Sequence, residues 1–286
     1  MVKIFTDTSA NLPVTLTKAH NITVIPFSYT VGGVPADNTP GIDFDGKAFY
    51  DAMRAGADVQ TSMINAHDFT EAFTPVLEEG CDVLYVGMSG GISGTAHAAA
   101  LAADELSEQY PDRKILTVDT YAASMGEGLL VLLAAQLLES GTSLEETYQT
   151  LLARRETLCQ YFTVDDLAYL KKGGRLSGAG AFVGTLLQIK PILMGDDTGH
   201  IVACHKVRGR RQSLCELARR YDALVKDRAA DISIAHADCP EDVEFLLTKL
   251  RECGFGGNCI TVCYEPVTGS HVGPGTVALF FPGTHK

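Results

Sequence analysis

Between Ser89 and Thr95 the chain reads Ser-Gly-Gly-Ile-Ser-Gly-Thr, glycines interleaved with hydroxyls. Glycine lets a backbone bring its N–H groups close to a ligand, and the side chains of Ser93 and Thr95 add donors. That chemistry suits an anion. No Lys follows the glycines, so the segment is not the G-x-x-x-x-G-K-[ST] loop that holds a triphosphate. The spacing also fails G-x-G-x-x-G, which argues against a dinucleotide. A singly charged group such as a carboxylate fits a cradle of hydroxyls and amides. The same residues read equally as a tight turn with a capping Ser or Thr.

Two elements must position this loop. Val83 to Val86 is a short apolar, β-branched run that reads as a buried strand. Thr95 to Leu106 is Ala-rich and free of Pro and Gly, which predicts a helix. A helix start carries unpaired N–H groups and a partial positive charge, so the loop and the helix would act on an anion together. A rival motif overlaps them. Gly87-Met88-Ser89-Gly90-Gly91 matches the G-x-S-x-G nucleophile elbow of α/β-hydrolases, with Asp238 and His271 following in hydrolase order. An elbow requires its helix to begin directly after the serine, and Gly90, Gly91 and Gly94 are poor helix formers there.

The 286 residues suffice for one large or two modest domains. Apolar content is ordinary for a globular chain, and disorder is not indicated. A net charge of −12 argues against nucleic acid or an anionic membrane as a partner. Any anion site is therefore a local arrangement. The eight cysteines include no C-x-x-C pair, so neither a metal site nor a redox motif is expected, and reduced thiols in a cytoplasmic protein are. The N-terminal MVKIFTDTSA reads as a strand entering a polar turn rather than a signal peptide. The longest apolar run, Leu129 to Leu138, is too short to span a bilayer, and no stable membrane insertion is expected.

Taken in order, strands are predicted at Val2 to Thr6, Ile22 to Pro26 and Ile115 to Asp119, with a hairpin turned at Gly32-Gly33. Ser9 or Asn11 reads as the cap of a short helix with Pro13 in its first turn, Asp43 as the cap of a helix over 44–55, and Asn65 as an Asx cap. Gln60 to Ile64 is expected to be a loop. Helices follow over 124–140 and 143–158. This alternation calls for a parallel sheet covered by helices over residues 1–158. Residues 159–286 differ: a strand at 161–164, helices at 167–172, 178–189, 213–225 and 241–253, and strands at 232–236, 259–264 and 276–281. A hairpin turns at Gly195 to Gly199. Hairpins among helices predict a mixed sheet, hence a second α/β domain.

The accumulated segments resemble the DegV family of bacterial fatty-acid-binding proteins along nearly the whole chain. They are Asp7-Thr8-Ser9-Ala10-Asn11-Leu12-Pro13, Thr61-Ser62, Ser89 to Thr95, Val118-Asp119-Thr120 and Gly126-Glu127-Gly128. Further on come Leu170 to Ser177, Ile189 to Leu193, Lys206 to Gly209, His236-Ala237-Asp238 and His271 to Gly275. The resemblance implies a single two-domain unit over 1–286 with an acyl ligand between the domains, and no catalytic activity of its own. It implies that Thr61 and Ser93 hold the carboxylate of a long-chain fatty acid, with Ser62, Gly94 and Thr95 beside them. Arg175 and His271 would be nearby polar members, and no metal or other cofactor is implied. Some relatives present the carboxylate to an ATP-dependent fatty-acid kinase; the positive cluster on an otherwise acidic chain predicts that such a partner docks near Lys206, Arg208 and Arg210. At the level of residues, Arg175 reads also as a surface ion pair and His271 as a loop-stabilising hydrogen bonder. The basic run from His205 to Arg211 reads also as a solvated face. The sequence departs from the family pattern after Thr61-Ser62, where Met63-Ile64 replace the Gln-Pro common in relatives.

Overall fold

The computed structural model describes residues 1–39, 44–177 and 188–285. The expected Asp43 cap, and residues 178–187 of the expected helix, lie outside the described residues. In chain order the elements are β1 (Val2–Asp7), a 3-10 turn (Thr8–Ala10), α1 (Val14–Ala19), β2 (Ile22–Ile25), β3 (Ser28–Val31), β4 (Val34–Ala36) and α2 (Gly46–Arg54). They continue with β5 (Val59–Ser62), α3 (Ala66–Glu78), β6 (Asp82–Gly87), α4 (Thr95–Gln109), β7 (Ile115–Asp119), α5 (Met125–Glu139) and α6 (Leu144–Arg155). After these come β8 (Leu158–Thr163), α7 (Ala168–Lys172), β9 (Ile189–Gly195), β10 (Ile201–Arg208) and α8 (Arg210–Leu224). The last elements are β11 (Ile232–His236), α9 (Pro240–Glu252), β12 (Cys259–Cys263), α10 (Pro266–Val272) and β13 (Val277–Pro282).

Contacts gather these elements into two compact units, Met1–Asp43 with Gln60–Arg155, and Phe44–Val59 with Glu156–Lys286. The first unit carries a parallel sheet in the order β2-β1-β6-β7. Central strand β6 is apolar after Asp82 because both of its faces are covered, and Val83, Leu84, Tyr85 and Val86 are fully buried. Each such side chain contributes roughly 1.5–3 kcal/mol by leaving water. Phe5 and Phe73 pack edge to face at 4.9 Å, and Phe69 packs on Tyr85 at 4.9 Å, fixing α3 against the sheet. Helix α4 buries Ala98, Ala99, Ala102 and Ala103, small side chains that admit α3 and β7 closely. A separate sheet of order β4-β3-β5 includes the Gly32-Gly33 hairpin.

The second unit is built on a six-stranded sheet of order β10-β9-β8-β13-β11-β12. Only β11 and β12 pair in parallel there, and the other neighbours are antiparallel, so the sheet is mixed as its hairpins predict. Its core joins Leu214, Leu217 and Tyr221 of α8, Leu246 and Leu250 of α9, and Leu279 and Phe281 of β13. Helix α2 belongs to this unit although it precedes β5 in the chain. Tyr50 of α2 donates to the Tyr264 carbonyl at 2.8 Å, and Arg54 pairs with Asp238 at 2.5 Å. A single cut near residue 158 therefore does not describe the contacts of α2.

Three local expectations are corrected. Ser9 and Asn11 do not cap α1: Asp7 caps the 3-10 turn by accepting from Ser9 N, Asn11 closes that turn at φ 56°, and α1 follows Pro13. Residues 60–62 are strand β5 rather than loop, because neighbouring β3 supplies the pairing that a short polar segment cannot announce by periodicity. Helix α8 begins at Arg210, so Arg210 and Arg211 are helical. The Asn65 reading holds as a reciprocal box, with Asn65 accepting the Asp68 amide and Asp68 the Asn65 amide.

Candidate functional site

Strand β6 ends at Gly87 and α4 begins only at Thr95. The intervening amides are largely committed to the loop itself. The carbonyl of Ser89 accepts from Ile92 N and Ser93 N at 3.2 and 3.1 Å, and Ser89 Oγ accepts from Gly91 N at 3.1 Å. The first glycine amide, Gly90 N, donates to Asp119 Oδ2 at 3.0 Å. Asp119 in turn accepts Tyr121 N, and its carbonyl accepts Arg155 Nη1 at 2.7 Å while the Arg155 guanidinium stacks 4.0 Å over the Tyr121 ring. A carboxylate already occupies the Gly90 end of the loop. A second anion is favoured at the other end.

That other end holds the hydroxyl pair. Ser93 Oγ lies 2.9 Å from Thr95 Oγ1 and accepts the Thr95 amide at 3.3 Å. Thr95 is fully buried and Ser93 half-buried, so the pair presents one accessible hydroxyl backed by a second at the start of the 15-residue helix α4. The helix start supplies its partial positive charge to the same place. Thr61 is half-buried near the end of β5, Ser62 is exposed, and Met63 follows. Met63 brings this segment onto the loop: a Cβ on Gly94 would stand 3.0 Å from Met63 Sδ. Met63 therefore lies against the glycine loop, whereas the sequence places it only next to Thr61-Ser62.

In the second unit Arg175 and His271 are brought together through Gly173. Arg175 Nη1 donates to the Gly173 carbonyl, and a Cβ on Gly173 would lie 2.4 Å from His271 Nδ1. His271 lies on α10, a helix that the sequence does not announce. Burial, reinforced by the Arg175 charge, pushes its imidazole down to about 4, so it is neutral at physiological pH. A neutral imidazole can donate to a carboxylate without adding charge.

The nucleophile-elbow reading fails on geometry. Ser89 is fully buried, it is held inside its own loop by Gly91 N, and no helix begins behind it until Thr95. Asp238 is engaged by Arg54, whose Nη2 also donates to the Asp238 carbonyl at 3.2 Å. The basic run is also revised. Arg210 is turned inward, bonding Asp242 Oδ2 through Nε at 2.9 Å and the Gly275 carbonyl through Nη2 at 2.5 Å. Arg211 lies over the Phe245 ring at 5.2 Å. His205, Lys206 and Arg208 remain exposed on β10, the terminal strand of its sheet. Among the described residues no helix is long and apolar enough to cross a membrane, and no group of His, Cys, Asp and Glu is arranged to hold a metal.

A parallel α/β unit with a hydroxyl-lined glycine loop at a helix start, accompanied by a mixed-sheet α/β unit, defines a two-unit α/β protein. The family model described as "Uncharacterised protein, DegV family" matches residues 1–283, and this chain belongs to the DegV family. A DegV domain-containing protein of Clostridium perfringens is 39% identical over 99% of this chain and 98% of its own length. Among solved structures, a fatty-acid-binding DegV family protein from Thermus thermophilus superposes with a TM-score of 0.86 at 30% identity, covering 98% of both chains. A fatty-acid-binding DegV family protein from Streptococcus agalactiae gives 0.87 at 28% identity over 98% of both chains. DegV of Bacillus subtilis, a fatty-acid-binding protein, gives 0.83 at 27% identity over 98% of both.

Proposed function

We propose that this chain is a non-catalytic, cytoplasmic binder of a long-chain fatty acid, with Thr61 and Ser93 holding the carboxylate and Ser62, Gly94 and Thr95 flanking it. The observation that carries this reading is the Ser93–Thr95 hydroxyl pair, 2.9 Å apart at the start of α4. With Asp119 on Gly90, the loop offers one donor-rich end and one end that repels a second carboxylate. The solved relatives described as fatty-acid-binding, similar over 98% of this chain, support the ligand class. Arg175 and neutral His271 are proposed as the further polar groups.

Magnitudes divide the work. An acyl chain contributes roughly 0.8 kcal/mol per buried CH₂ before ordering costs. Each hydrogen bond to the carboxylate contributes about 1.5–3 kcal/mol. The tail therefore supplies most of the affinity, and the hydroxyls fix its direction. Mass spectrometry of lipid extracted from the purified protein is the direct test. A long-chain free fatty acid at near one per chain is expected; a complement of phospholipid or no lipid, together with no binding of added fatty acid, would sink the reading.

The second part of the proposal is presentation of the carboxylate to a fatty-acid kinase that docks on the exposed basic residues of β10. The support is a cluster of positive charge on an acidic chain, at His205, Lys206 and Arg208. Arg210 is excluded from it, being committed to Asp242 and Gly275. Lys206→Glu with Arg208→Glu is expected to leave lipid content unchanged and abolish acyl phosphate formation with the kinase. Surviving phosphorylation would reduce the cluster to a solvated face.

A further inference from the structure

The strand that feeds the glycine loop rests on two buried carboxyl groups. Ser9 Oγ stands 2.5 Å from Asp7 Oδ1 and 2.6 Å from Glu127 Oε2, and all three residues are buried. A hydroxyl has one proton and can donate to only one of the two. With both carboxyls ionised, the other contact would set two lone pairs against each other at hydrogen-bond distance inside the protein. We propose that Asp7 and Glu127 share one proton across Ser9 at neutral pH, and that this protonated pair is a positioning unit for the glycine loop.

The surrounding contacts give the pair its reach. Asp7 Oδ2 accepts Tyr85 OH at 2.6 Å and the Met88 amide at 3.3 Å, so it holds the last turn of β6 where the strand passes into Ser89. Its Oδ1 accepts Ser9 N at 2.9 Å, and Thr6 Oγ1 donates to Glu127 Oε1 at 3.0 Å. Two glycines make room: a Cβ on Gly87 would stand 2.0 Å from Tyr85 OH, and one on Gly128 would stand 2.7 Å from the Ala10 carbonyl. Ser124-x-x-Glu127 has the form of a capping box for α5. Ser124 nevertheless makes no side-chain cap bond, and its buried hydroxyl has no partner. Glu127 has left its local role for the pair with Asp7.

The electrostatic setting favours retention of one proton. Burial raises Asp7, against the hydrogen bonds from Ser9, Tyr85 and Met88. Tyr85 from β6 hydrogen-bonds the pair through Asp7, and Asp119 from β7 lies near enough for its charge to act on the Tyr85 phenol. The charges felt by the Tyr85 phenol are those of Asp7, Glu127 and Asp119, all of one sign. From β1, the 3-10 turn and the start of α5 come the uncharged Thr6, Ser9 and Ser124. Helix α6, packed on α5, buries the uncharged Leu144, Thr147 and Leu151. Two such carboxyls titrate as a unit, so the proton belongs to the pair.

The positioning role rests on the carboxylate-binding reading of the loop, whereas the shared proton does not. The test uses the whole protein in two measurements. Infrared difference spectra of lipid-free protein report the carbonyl stretch of a protonated carboxylic acid. That band is expected in the wild type at pH 7 and absent from both Glu127→Gln and Asp7→Asn. Displacement of a fluorescent fatty acid then gives affinity against pH. Wild-type affinity is expected to fall by up to about tenfold per pH unit once the shared proton is lost, with the fall coinciding with loss of the band. Glu127→Gln, in which the amide supplies the donor and Asp7 stays ionised across the range, is expected to flatten that profile. No acid band at pH 7, or a band that persists in both variants, overturns the shared proton. A band that behaves as expected beside pH profiles that coincide in wild type and Glu127→Gln overturns the positioning role. A correct band with no fatty-acid binding at any pH overturns the proposed function and the positioning role, and leaves the shared proton standing.

Discussion

Met63 Sδ lies 3.0 Å from the point where a Cβ on Gly94 would stand, whereas His271 Nδ1 lies 2.4 Å from the equivalent point on Gly173. Both glycines have right-handed helical backbone, with φ near −70°, so alanine is conformationally acceptable at each. The two sites differ in what must move. Met63 is 46% exposed, and its thioether end can swing aside. His271 is half-buried, and a Cβ on Gly173 would meet three atoms of its rigid ring rather than a flexible chain end. Gly94→Ala is expected to change stability by less than about 1 kcal/mol. Gly173→Ala is expected to cost about 1–3 kcal/mol, the usual cost of overpacking. Denaturant unfolding of the two variants checks the contrast.

Arg210 looked like one charge among several in the sequence, and its partners make it structural. Asp242 and the Gly275 carbonyl both depend on its guanidinium, which is 20% exposed. Arg210→Ala removes the partner of a half-buried carboxylate and is expected to destabilise the protein by about 2–4 kcal/mol. Lys206→Ala and Arg208→Ala, on the exposed part of β10, are expected to stay within about 0.5 kcal/mol. Thermal melting of the three variants separates the two classes.

What was legible in the sequence was what local physics controls. Val83 to Val86 is buried on both faces and reads as a strand, and the alanines after Thr95 read as a helix, so the loop between them was found directly. Segments fixed by tertiary contacts were not legible. Gln60 to Ser62 carries no apolar alternation, and its strand exists because β3 lies beside it. Helix α10 contains Gly269 and three β-branched residues, a poor helical sequence. It forms because Glu265 caps it at Val267 N and Thr268 N, and because Gly269 admits the Tyr50 hydroxyl. The Asp7–Glu127 pair joins residues far apart in the chain, Asp7 at the end of β1 and Glu127 within the first turn of α5, and nothing local links them.

His271 gives a pH signature with a definite sign. Burial first, and the Arg175 charge second, lower its pKa from 6.5 to about 4. The unfolded chain therefore binds more protons than the native state between these values, and stability rises with pH across that window. On acidification the contribution is lost between about pH 6.5 and pH 4, at up to about 1.4 kcal/mol per pH unit. His271→Gln removes the titration. Urea midpoints measured at intervals across the window are expected to converge for wild type and variant at low pH and to separate above pH 6.5. Parallel curves would place the imidazole in solvent.

The head-group prediction separates a specific carboxylate site from an apolar cleft. Ser93 Oγ is half-buried and backed by Thr95 Oγ1 at 2.9 Å, so a ligand oxygen there exchanges water for a protein hydroxyl. Ser93→Ala leaves that oxygen underpaired, and the expected loss is about 1–3 kcal/mol, or about five- to a hundredfold in affinity. Adding Thr61→Val removes the second hydroxyl and keeps the β-branched shape suited to β5. The wild type is expected to prefer a free acid to its methyl ester of equal chain length, because the ester lacks the charge that strengthens both hydrogen bonds. The double variant is expected to lose that preference while keeping most of the affinity supplied by the tail. Neither change opens a core cavity, so melting temperatures should stay close to wild type. Competitive displacement of a fluorescent fatty acid by the acid and by the ester measures the discrimination. If wild type and double variant discriminate equally, the carboxylate is held elsewhere, and Arg175→Ala and His271→Ala become the variants in which the preference must disappear.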